Sequence, residues 1–527
     1  MIFFDEDCNA RYYYAEAGTI MPKDLDHIVD DLLDTDVKVL VVGCGGQTAM
    51  YPGAKAIREF VAGFDISKGL DQPWFRGQLG TPAAYRNAAN IVVLKSMGVD
   101  SNDYLLKRAA AKGLGKWITI RMNDQHCTWL EHSPGHGDLW MDHPELRTQT
   151  CAPQSGLSYE HKEVRQMYFD SIREQLELYD VDGIVLDWMR HVPHFNDGEG
   201  EKNIPVMNEY IHSIRLLADE YAAKRGHKIL IAPRVPATVA SARYHGLDAV
   251  AWAQAGDIDR IIISPKYLRS YILDPGAWKA AVGNDDFPVT ACIDTPHQPY
   301  PGYPAGAPAG AWTREPFDRR QLPFIRGACR VALGNKSDGI YFFNFMNIRN
   351  KKKMLEVFDE CGKWENLQGK NFSIDISYDD LHMDEPNFLK GWRAESNDAY
   401  FSVWRKNLKD QGIYPYQLPQ ELAPGESCEF TFVTGEVPEA DPQIAFSFEG
   451  LADADVEFDG VKCVLENSRY FLRSVKYSGT QAVIKVTNRS NQEIKIERAS
   501  MHFSWDGEFP ELYNPENKVT IGVAADL

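Results

Sequence analysis

The amino-acid sequence predicts an α/β fold, a (β/α)8 TIM barrel followed by a C-terminal antiparallel β-sandwich. Through the first two thirds of the 527-residue chain, short apolar runs alternate with helical patterns, which is typical of βαβ units and a parallel sheet. Past residue 365, apolar residues instead recur at every second position in strands of about six residues. A chain of this length also exceeds what one hydrophobic core usually serves, so we expect at least two domains.

Eight apolar runs supply the strands of the predicted barrel. Most of them are apolar without alternation, as expected for strands that are covered on both faces. The runs begin at Ile2, Val37, Trp117, Gly183, Lys228, Arg260, Pro288 and Gly339. A doubly wound open sheet is the alternative, but no G-x-G-x-x-G or G-x-x-x-x-G-K-S/T loop follows any of these runs. The glycine-rich "GCGGQT" after the second run lets the backbone approach a ligand or simply turn.

Between the strands, the helices show apolar stripes at spacings of three and four. Two stripes are clear, one running from Val164 to Tyr179 and one from Val206 to Tyr221, and Gly226 is a plausible C-terminal stop for the second. Ser101 or Asn102 can cap the helix before Gly113.

The β-sandwich is predicted from three clear runs of alternating residues. These runs are Cys428, Phe430 and Phe432; Ile444, Phe446 and Phe448; and Ala482, Ile484 and Val486. We therefore predict a barrel over residues 1–365, a connector over residues 366–414 and a β-sandwich over residues 415–527.

Composition excludes some classes of partner. Lys and Arg total 56 against 75 Asp and Glu, and a net charge of −19 disfavours binding to nucleic acid or to an anionic membrane. The nine cysteines are scattered without C-x-x-C spacing, so neither a disulfide framework nor a zinc site is indicated. We expect no cofactor and no metal, and a homo-oligomer is compatible with the sequence.

The start of the chain carries no signal-peptide pattern, because "MIFFDEDC" becomes acidic at once, and no apolar run approaches the length of a membrane span. We expect a cytoplasmic protein, or a secreted or periplasmic one if a leader has been removed.

Ionisable residues follow the predicted strands, at the face where barrel enzymes build their active sites. Asp187 is the leading example, because it ends a buried run and stands too far before the next helical pattern, near Ile204, to cap it. A salt bridge from Asp187 to Arg190 is the structural alternative. The residues at this face are Asp5, Glu6, Asp7, Cys44, Arg121, Asn123, Asp124, Asp187, Arg190, Arg234, Lys266, Tyr267, Asp294 and Asn344.

Aromatic and histidine residues occupy the loops that follow strands three, four and seven. Exposed rings there are suited to stacking on sugar CH faces, and ordinary loop packing is the alternative. The candidate rings are Trp129, Trp140, Trp188, Tyr300, Tyr303 and Trp312. His126, His143, His191 and His194 lack the spacing of a helical H-E-x-x-H site, so we expect them to hydrogen-bond sugar and not to bind metal.

Three sequence elements resemble a known family. "VDGIVLDWMR" resembles the D-G-I-x-L-D-Y-x-R element of glycosyl-hydrolase-like barrel proteins known as family ten glycosylhydrolases. "GLDAVAWAQAGDIDRIIISPKY" is similar to their W-x-x-x-G-x-I/V-D-x-I-x-P-x-Y element, and "WITIRMNDQH" with "DHPELR" is similar to an R-M-N-D and H-P-E pairing in related polysaccharide-degradation proteins.

This resemblance spans roughly residues 115 to 345. It implies glycoside hydrolysis with Asp187 as the leading catalytic carboxylate and with Arg121, Asn123, Asp124 and Arg190 around it. One departure is that the xylanases of the named family carry glutamates after strands four and seven, where this chain has Asp187 and Asp294.

Glycoside cleavage requires two carboxyl groups, one protonated and one ionised. We expect Asp294 to be the partner of Asp187 across the mouth, although an Asx turn is its structural alternative. Asp124 is the second choice, and it could lie against Asp187 or bind substrate hydroxyls.

The cationic residues at this face are Arg121, Arg190, Arg234 and Lys266. A surplus of cations over the neighbouring aspartates would favour uronic acids or sulfated sugars. Two other functions stay open: a Schiff-base aldolase or lyase that uses Lys266, and a barrel that binds carbohydrate without cleaving it.

Overall fold

The computed structural model describes most of the barrel and most of the sandwich. The described residues are 1–8, 10–12, 15–75, 82–124, 134–149, 156–190, 194–196, 198–264, 273–293, 321–343, 345, 351–377, 417–418, 420–435, 441–451, 453–473, 476–477, 479–496 and 498–510.

Eight parallel strands form a closed barrel, which confirms the predicted fold. β1 pairs with both β2 and β8, so the ring has no free edge. The strands are β1 Ile2–Glu6, β2 Val37–Gly43, β3 Gly115–Arg121, β4 Gly183–Asp187, β5 Leu230–Pro236, β6 Ile261–Ser264, β7 Val289–Ile293 and β8 Ile340–Phe343.

Side chains alternate between the barrel axis and the surrounding helices. The axial positions form an apolar core of their own, which includes Phe3, Val41, Val185, Ala232 and Tyr341. The alternate positions of the same strands join the larger core beneath the helices. Because both faces are covered, the strands read as nearly continuous apolar runs.

Helices surround the barrel on its outer side. They are α1 His27–Asp30, α2 Pro82–Ser96, α3 Ser101–Ala111, α4 Asp138–Asp142, α5 Lys162–Leu178, α6 Ile204–Arg225, α7 Val239–Tyr244, α8 Ala249–Ala255, α9 Pro275–Val282, α10 Gln321–Gly334 and α11 Lys351–Glu360. Short 3-10 turns lie at Ala10–Tyr12, Pro22–Leu25, Ile66–Lys68, Pro73–Phe75, Pro144–Leu146, Glu201–Asn203 and Trp364–Leu367. Within the described part of the chain, none of the helices is both long and apolar enough to span a membrane.

The structure confirms most of the predicted features of the helices, but not the predicted cap of α3. The predicted stripes on α5 and α6 are buried except for Met167 and Val206, which are partly buried, and Gly226 ends α6 in the left-handed conformation. The predicted cap of α3 is wrong by one residue, because the side chain of Asp100 accepts the hydrogen bonds from the backbone nitrogens of Asn102 and Asp103. The Ser101 hydroxyl instead accepts a hydrogen bond from Arg11.

The second domain is built from antiparallel sheets, which confirms the predicted β-sandwich. Its strands are β9 Phe372–Ser377, β10 Gln420–Leu422, β11 Ser427–Val433, β12 Gln443–Glu449, β13 Ala454–Phe458, β14 Val461–Lys462, β15 Val464–Glu466, β16 Arg469–Leu472, β17 Gln481–Asn488, β18 Ile494–Ile496 and β19 Arg498–Ser504. Two larger sheets have the orders β11-β17-β13-β14 and β15-β16-β12-β19-β9, and β10 pairs with β18. Phe430, Phe446 and Ile484 are buried in the shared core, as their alternation predicts.

The barrel and the sandwich are in direct contact through α10 and β9. β9 lies inside the segment predicted to be a connector, and it pairs with β19 at the edge of a sandwich sheet. On α10, a Cβ at Gly327 would lie 2.0 Å from the Ser373 carbonyl oxygen. Val331, also on α10, belongs to the sandwich core. Only a glycine at position 327 permits this approach of helix and strand.

Candidate active site

The C-terminal end of the barrel axis carries polar side chains in place of the apolar core below. Asp5, Asp187 and Arg234 each stand two residues after an axial apolar residue, namely Phe3, Val185 and Ala232. Since side chains alternate along a strand, each of the three continues toward the axis. Asp187 is also in register with Arg121 on one side and with Arg234 on the other. The predicted location of Asp187 at a buried strand end is therefore what the structure shows.

Asp187 is a buried carboxylate with four hydrogen bonds. Its side chain is 1% exposed, and Arg234 Nη1 lies 3.2 Å from both of its carboxylate oxygens. The backbone nitrogens of Met189 and Arg190 donate to Oδ1 at 2.9 and 3.0 Å. These donors stabilise a negative charge on Asp187. The ion pair that the sequence suggested with Arg190 is formed with Arg234, and Arg190 contributes its backbone amide.

Arg234 is fixed on several sides. Its Nε and Nη2 donate to the Ser264 hydroxyl at 3.2 and 3.0 Å. The guanidinium carbon also lies 3.9 Å from the centroid of the Phe343 ring, in a cation-π contact. Arg234 therefore holds Asp187 in a defined position and is unsuited to recognise an anionic substrate.

Asp5 faces the same end of the axis in a different environment. Its side chain accepts a hydrogen bond from the Tyr341 hydroxyl at Oδ2, while Oδ1 is buried without a hydrogen-bond partner. Burial raises the pKa of Asp5 well above its ordinary value. The charges of Asp187 and Asp7 raise this pKa further, whereas the Tyr341 hydrogen bond and the charge of Arg234 lower it. Burial and the neighbouring aspartates therefore favour the neutral form of Asp5, whereas four hydrogen bonds stabilise the negative charge of Asp187.

Arg121 joins the two other aspartates of the mouth. Its Nη2 lies 2.9 Å from Asp7 Oδ1 and its Nη1 lies 3.1 Å from Asp124 Oδ2. Asp124 is thus bound to Arg121, the residue of β3 that is in register with Asp187. The backbone oxygen of Asp124 also accepts a hydrogen bond of 2.5 Å from Gln47 Nε2.

The glycine cluster after β2 packs against these same residues. Gly45 has a φ of +107°, a conformation that side chains rarely adopt. A Cβ at Gly46 would lie 3.1 Å from the Cβ of Asp124 and 3.2 Å from the Cβ of Arg121. The close approach made by this glycine loop is therefore to the protein's own side chains.

Two of the predicted sugar-stacking rings are buried, which fits the alternative of ordinary loop packing. Trp188 is 0% exposed and makes edge contacts with Tyr159 and His194. It follows Asp187 directly, and alternation turns it away from the axis. Trp140 is 1% exposed, and the guanidinium carbon of Arg147 lies 3.5 Å from its ring centroid. Both rings are packed against the protein's own side chains.

Three other predicted residues occupy different places. Asn123 is fully buried beside the end of β3. The Arg190 guanidinium carbon lies 5.9 Å from the centroid of the Phe343 ring and so reaches the mouth. His143 is half exposed, and its Nδ1 lies 2.9 Å from a Glu145 carboxylate oxygen. The structure thus gathers Arg121, Asp124, Asp187, Arg190 and Arg234 at the mouth, and no contact of His143 with these residues is shown.

The remaining candidates fall in the loops after β3, β6, β7 and β8 and lie outside the described residues. They are His126, Trp129, Lys266, Tyr267, Asp294, Tyr300, Tyr303, Trp312 and Asn344. Among the residues that are described, no group of three His, Cys, Asp or Glu side chains could hold a metal ion.

Sequence reasoning missed the roles of Asp5, Ser264 and Tyr341. Asp5 was counted as a strand-end residue without being assigned to the site. In the sequence, Tyr341 lies within an apolar run. A hydroxyl in a strand that is covered on both faces must find a hydrogen-bond partner, so the sequence could have predicted a polar partner for Tyr341.

Glu6 illustrates the opposite case, an ionisable strand-end residue turned away from the axis. It forms an ion pair with Arg11 at 2.5 Å, and Arg11 also contacts Ser101 and Asn102. Burial raises the pKa of Glu6 to about 7, against the lowering effect of Arg11. This pair joins the end of β1 to α3 and is not part of the mouth.

Comparison with known proteins gives distant structural matches. No family model and no curated protein matches the chain. A noncanonic maltogenic alpha-amylase from Thermotoga neapolitana matches at 12% identity and a TM-score of 0.37, over 94% of this chain and 98% of that chain. An alpha-amylase from Anoxybacillus matches at 10% identity and a TM-score of 0.36, over 93% and 98%.

A third match is an alpha-galactosidase from Geobacillus stearothermophilus, at 10% identity and a TM-score of 0.33, over 92% of this chain and 55% of that chain. With TM-scores this low, the fold rests on the closed ring of strands, and any function must rest on the residues at its mouth. The resemblance to family ten glycosylhydrolases stays a prediction.

Proposed function

We propose that this protein is a glycoside hydrolase that cleaves an oligo- or polysaccharide, with Asp187 as the ionised carboxylate of the reaction. The observation that carries the proposal is the position of Asp187 at the C-terminal end of β4, on the barrel axis, where four hydrogen bonds hold its carboxylate. This end of a barrel is where enzymes of this fold perform their chemistry.

The hydrogen bonds leave the two oxygens of Asp187 in different situations. Oδ1 accepts three of the four bonds, including both backbone amides, whereas Oδ2 accepts only the bond from Arg234. Oδ2 is therefore the oxygen suited to face an anomeric carbon, where an oxocarbenium-like positive charge develops in the transition state. The sequence resemblance around Asp187 supports the same role.

We propose different roles for the other carboxyl groups of the site. Because Asp124 is bound to Arg121, it is suited to accept hydrogen bonds from substrate hydroxyls, with Arg121 beside it. Asp294 follows β7, across the ring from β4, and we propose it as a further member of the site.

The substrate class proposed is a neutral glycan. The concentration of cations at the mouth first suggested acidic or sulfated sugars. Arg121, however, is paired with Asp7 and Asp124, and Arg234 is paired with Asp187. Since these two arginines neutralise the protein's own aspartates, they provide no surplus positive charge for an anionic sugar.

The test is a product-resolved screen of the full chain against neutral and acidic glycans, with Asp187→Asn beside the parent. We expect neutral members to be cleaved, and we expect Asp187→Asn to lower kcat by about 10²-fold or more. Far-UV circular dichroism checks that the variant is folded. A variant that cleaves as fast as the parent would show that Asp187 has no catalytic role.

A further inference from the structure

The proposed hydrolase requires a proton donor, and we propose that this donor is Asp5, with Tyr341 as the residue that positions it. This inference rests on the proposed function and deepens it, because neither sequence pattern nor strand position had assigned Asp5 to the reaction.

The carboxyl groups at the mouth differ in whether they contact a cation. A proton donor must carry a hydrogen, and a carboxyl group in contact with a cation is stabilised in its ionised form. Among the described carboxyl groups at the mouth, Asp7 and Asp124 contact Arg121, and Asp187 contacts Arg234. Asp5 has no ion pair within the described part of the chain. The hydrogen-bond partner of Asp5 is the Tyr341 hydroxyl group, which can hydrogen-bond to either the protonated or the ionised carboxyl group.

The environment of Asp5 favours its neutral form, because the side chain is only 1% exposed. The groups that face it are Tyr341, Asp187, Asp7 and Arg234. Burial is the largest influence and favours the neutral acid, and the two neighbouring aspartates act in the same direction. The one cation in this set, Arg234, is bound to Asp187 and only weakens the effect.

One carboxyl oxygen of Asp5 has no hydrogen-bond partner. Oδ2 is occupied by Tyr341, whereas Oδ1 is buried and has no hydrogen-bond partner. Buried polar atoms without partners are rare, and each calls for an explanation. A hydrogen on Oδ1 has a natural acceptor in the glycosidic oxygen of a substrate bound at the end of the axis, where the charge of Asp187 also acts on Asp5.

In the proposed reaction, Asp5 protonates the leaving group and Asp187 stabilises the developing positive charge. The bond from the anomeric carbon to the glycosidic oxygen breaks, and its electron pair leaves on that oxygen, which takes the proton from Asp5. The negative charge of Asp187 stabilises the positive charge at the anomeric carbon. Water then supplies the hydroxyl group of the new reducing end, and its second proton returns to Asp5.

A structural role for Asp5, in which it only joins β1 to β8 through Tyr341, makes different predictions. A structural defect lowers the rate on every substrate alike. Loss of a proton donor lowers the rate only where the leaving group requires protonation. Rates measured on substrates with different leaving groups therefore distinguish the two roles.

The experiment compares 2,4-dinitrophenyl and phenyl glycosides of the sugar cleaved in the glycan screen. We expect Asp5→Asn to lower kcat/KM on the phenyl glycoside by about 10²-fold or more and to leave the dinitrophenyl glycoside nearly unaffected. The alkaline limb of the pH profile should also disappear. If Asp5→Asn lowers kcat/KM equally on both glycosides, Asp5 is not the proton donor. The same conclusion follows if Asp294→Asn, and not Asp5→Asn, shows the selective loss on the phenyl glycoside.

Tyr341→Phe tests the positioning role. Because the Tyr341 hydrogen bond lowers the pKa of Asp5, its removal should move the alkaline limb to higher pH while the leaving-group dependence of the parent is retained. An unmoved limb would exclude Tyr341 as the positioning residue.

Infrared spectroscopy tests the protonation state without any substrate. With carbonyl-labelled aspartate in the full chain, we expect a protonated carboxyl band near neutral pH that is absent from Asp5→Asn and retained in Asp124→Asn. If Asp5→Asn leaves the band unchanged, Asp5 is not the proton donor, whatever the glycan screen shows. If the band is lost as expected but no glycan is cleaved, the hydrolase proposal fails, and the donor role fails with it.

Discussion

Replacing the two axial aspartates by asparagine should change stability by different amounts and with different pH dependence, because we propose that one is an ionised partner of arginine and the other a neutral acid. Asp187→Asn removes the charge that compensates Arg234, and both side chains of that pair are 1% exposed. Breaking a buried ion pair by removing one partner costs about 3–5 kcal/mol. We therefore expect a loss of that size in the free energy of unfolding of the barrel.

Asp5→Asn should cost within about 1 kcal/mol near pH 5, because the substituted side chain is neutral, is similar in size and can still accept the Tyr341 hydrogen bond. The pH dependence has a definite sign. The pKa of Asp5 is raised in the folded chain, so the folded state binds an extra proton above the ordinary pKa of about 4. The parent therefore loses stability as pH rises toward the folded pKa, whereas Asp5→Asn lacks this loss.

The assay is urea unfolding of the full chain at pH 5 and pH 8, followed by tryptophan fluorescence. The expected result is a strongly destabilised Asp187→Asn at both pH values, and an Asp5→Asn whose stability relative to the parent improves at pH 8. Similar losses for the two variants, or an Asp5→Asn that becomes less stable than the parent as pH rises, would refute this assignment of charge.

Two further predictions concern packing. Gly327→Ala should destabilise the contact between α10 and β9 by about 1–3 kcal/mol, because its Cβ would lie 2.0 Å from the Ser373 carbonyl oxygen. Gly276→Ala, whose Cβ would meet its nearest atom at 3.3 Å, is the control, and thermal unfolding of both should show a clear loss only for Gly327→Ala. Trp188→Phe should lower the thermal midpoint but leave KM for the cleaved glycan unchanged, because the ring is buried; a several-fold rise in KM would restore Trp188 as a binding residue.

The barrel was predictable because its signals are local. Each strand is an apolar run bounded by turn residues, and Gly226 marks the end of α6 through the one backbone conformation that favours glycine. The alternation at Phe430, Phe446 and Ile484 identified the sandwich in the same way. These features depend on neighbours in sequence, so a single chain reveals them.

The contacts at the mouth were harder to predict, because they depend on register between strands. Nothing local distinguishes Arg234 from Arg190 as the partner of Asp187, and only the pairing of β4 with β5 sets Arg234 beside it. Tyr341 meets Asp5 across the closure of β8 on β1, more than 300 residues apart in the chain. The inward or outward direction of Trp188, by contrast, follows from alternation alone and was available from the sequence.

The central claim, that Asp187 is the ionised carboxylate of a glycoside hydrolase, is tested most directly by hydrolysis in ¹⁸O-labelled water with mass-resolved products. The account predicts that the parent places one ¹⁸O atom on each new reducing end, and that Asp187→Asn, while folded, does so at about one hundredth of the rate or less. Label incorporation by folded Asp187→Asn at the parent's rate, or none by the parent on any glycan of the panel, would contradict it.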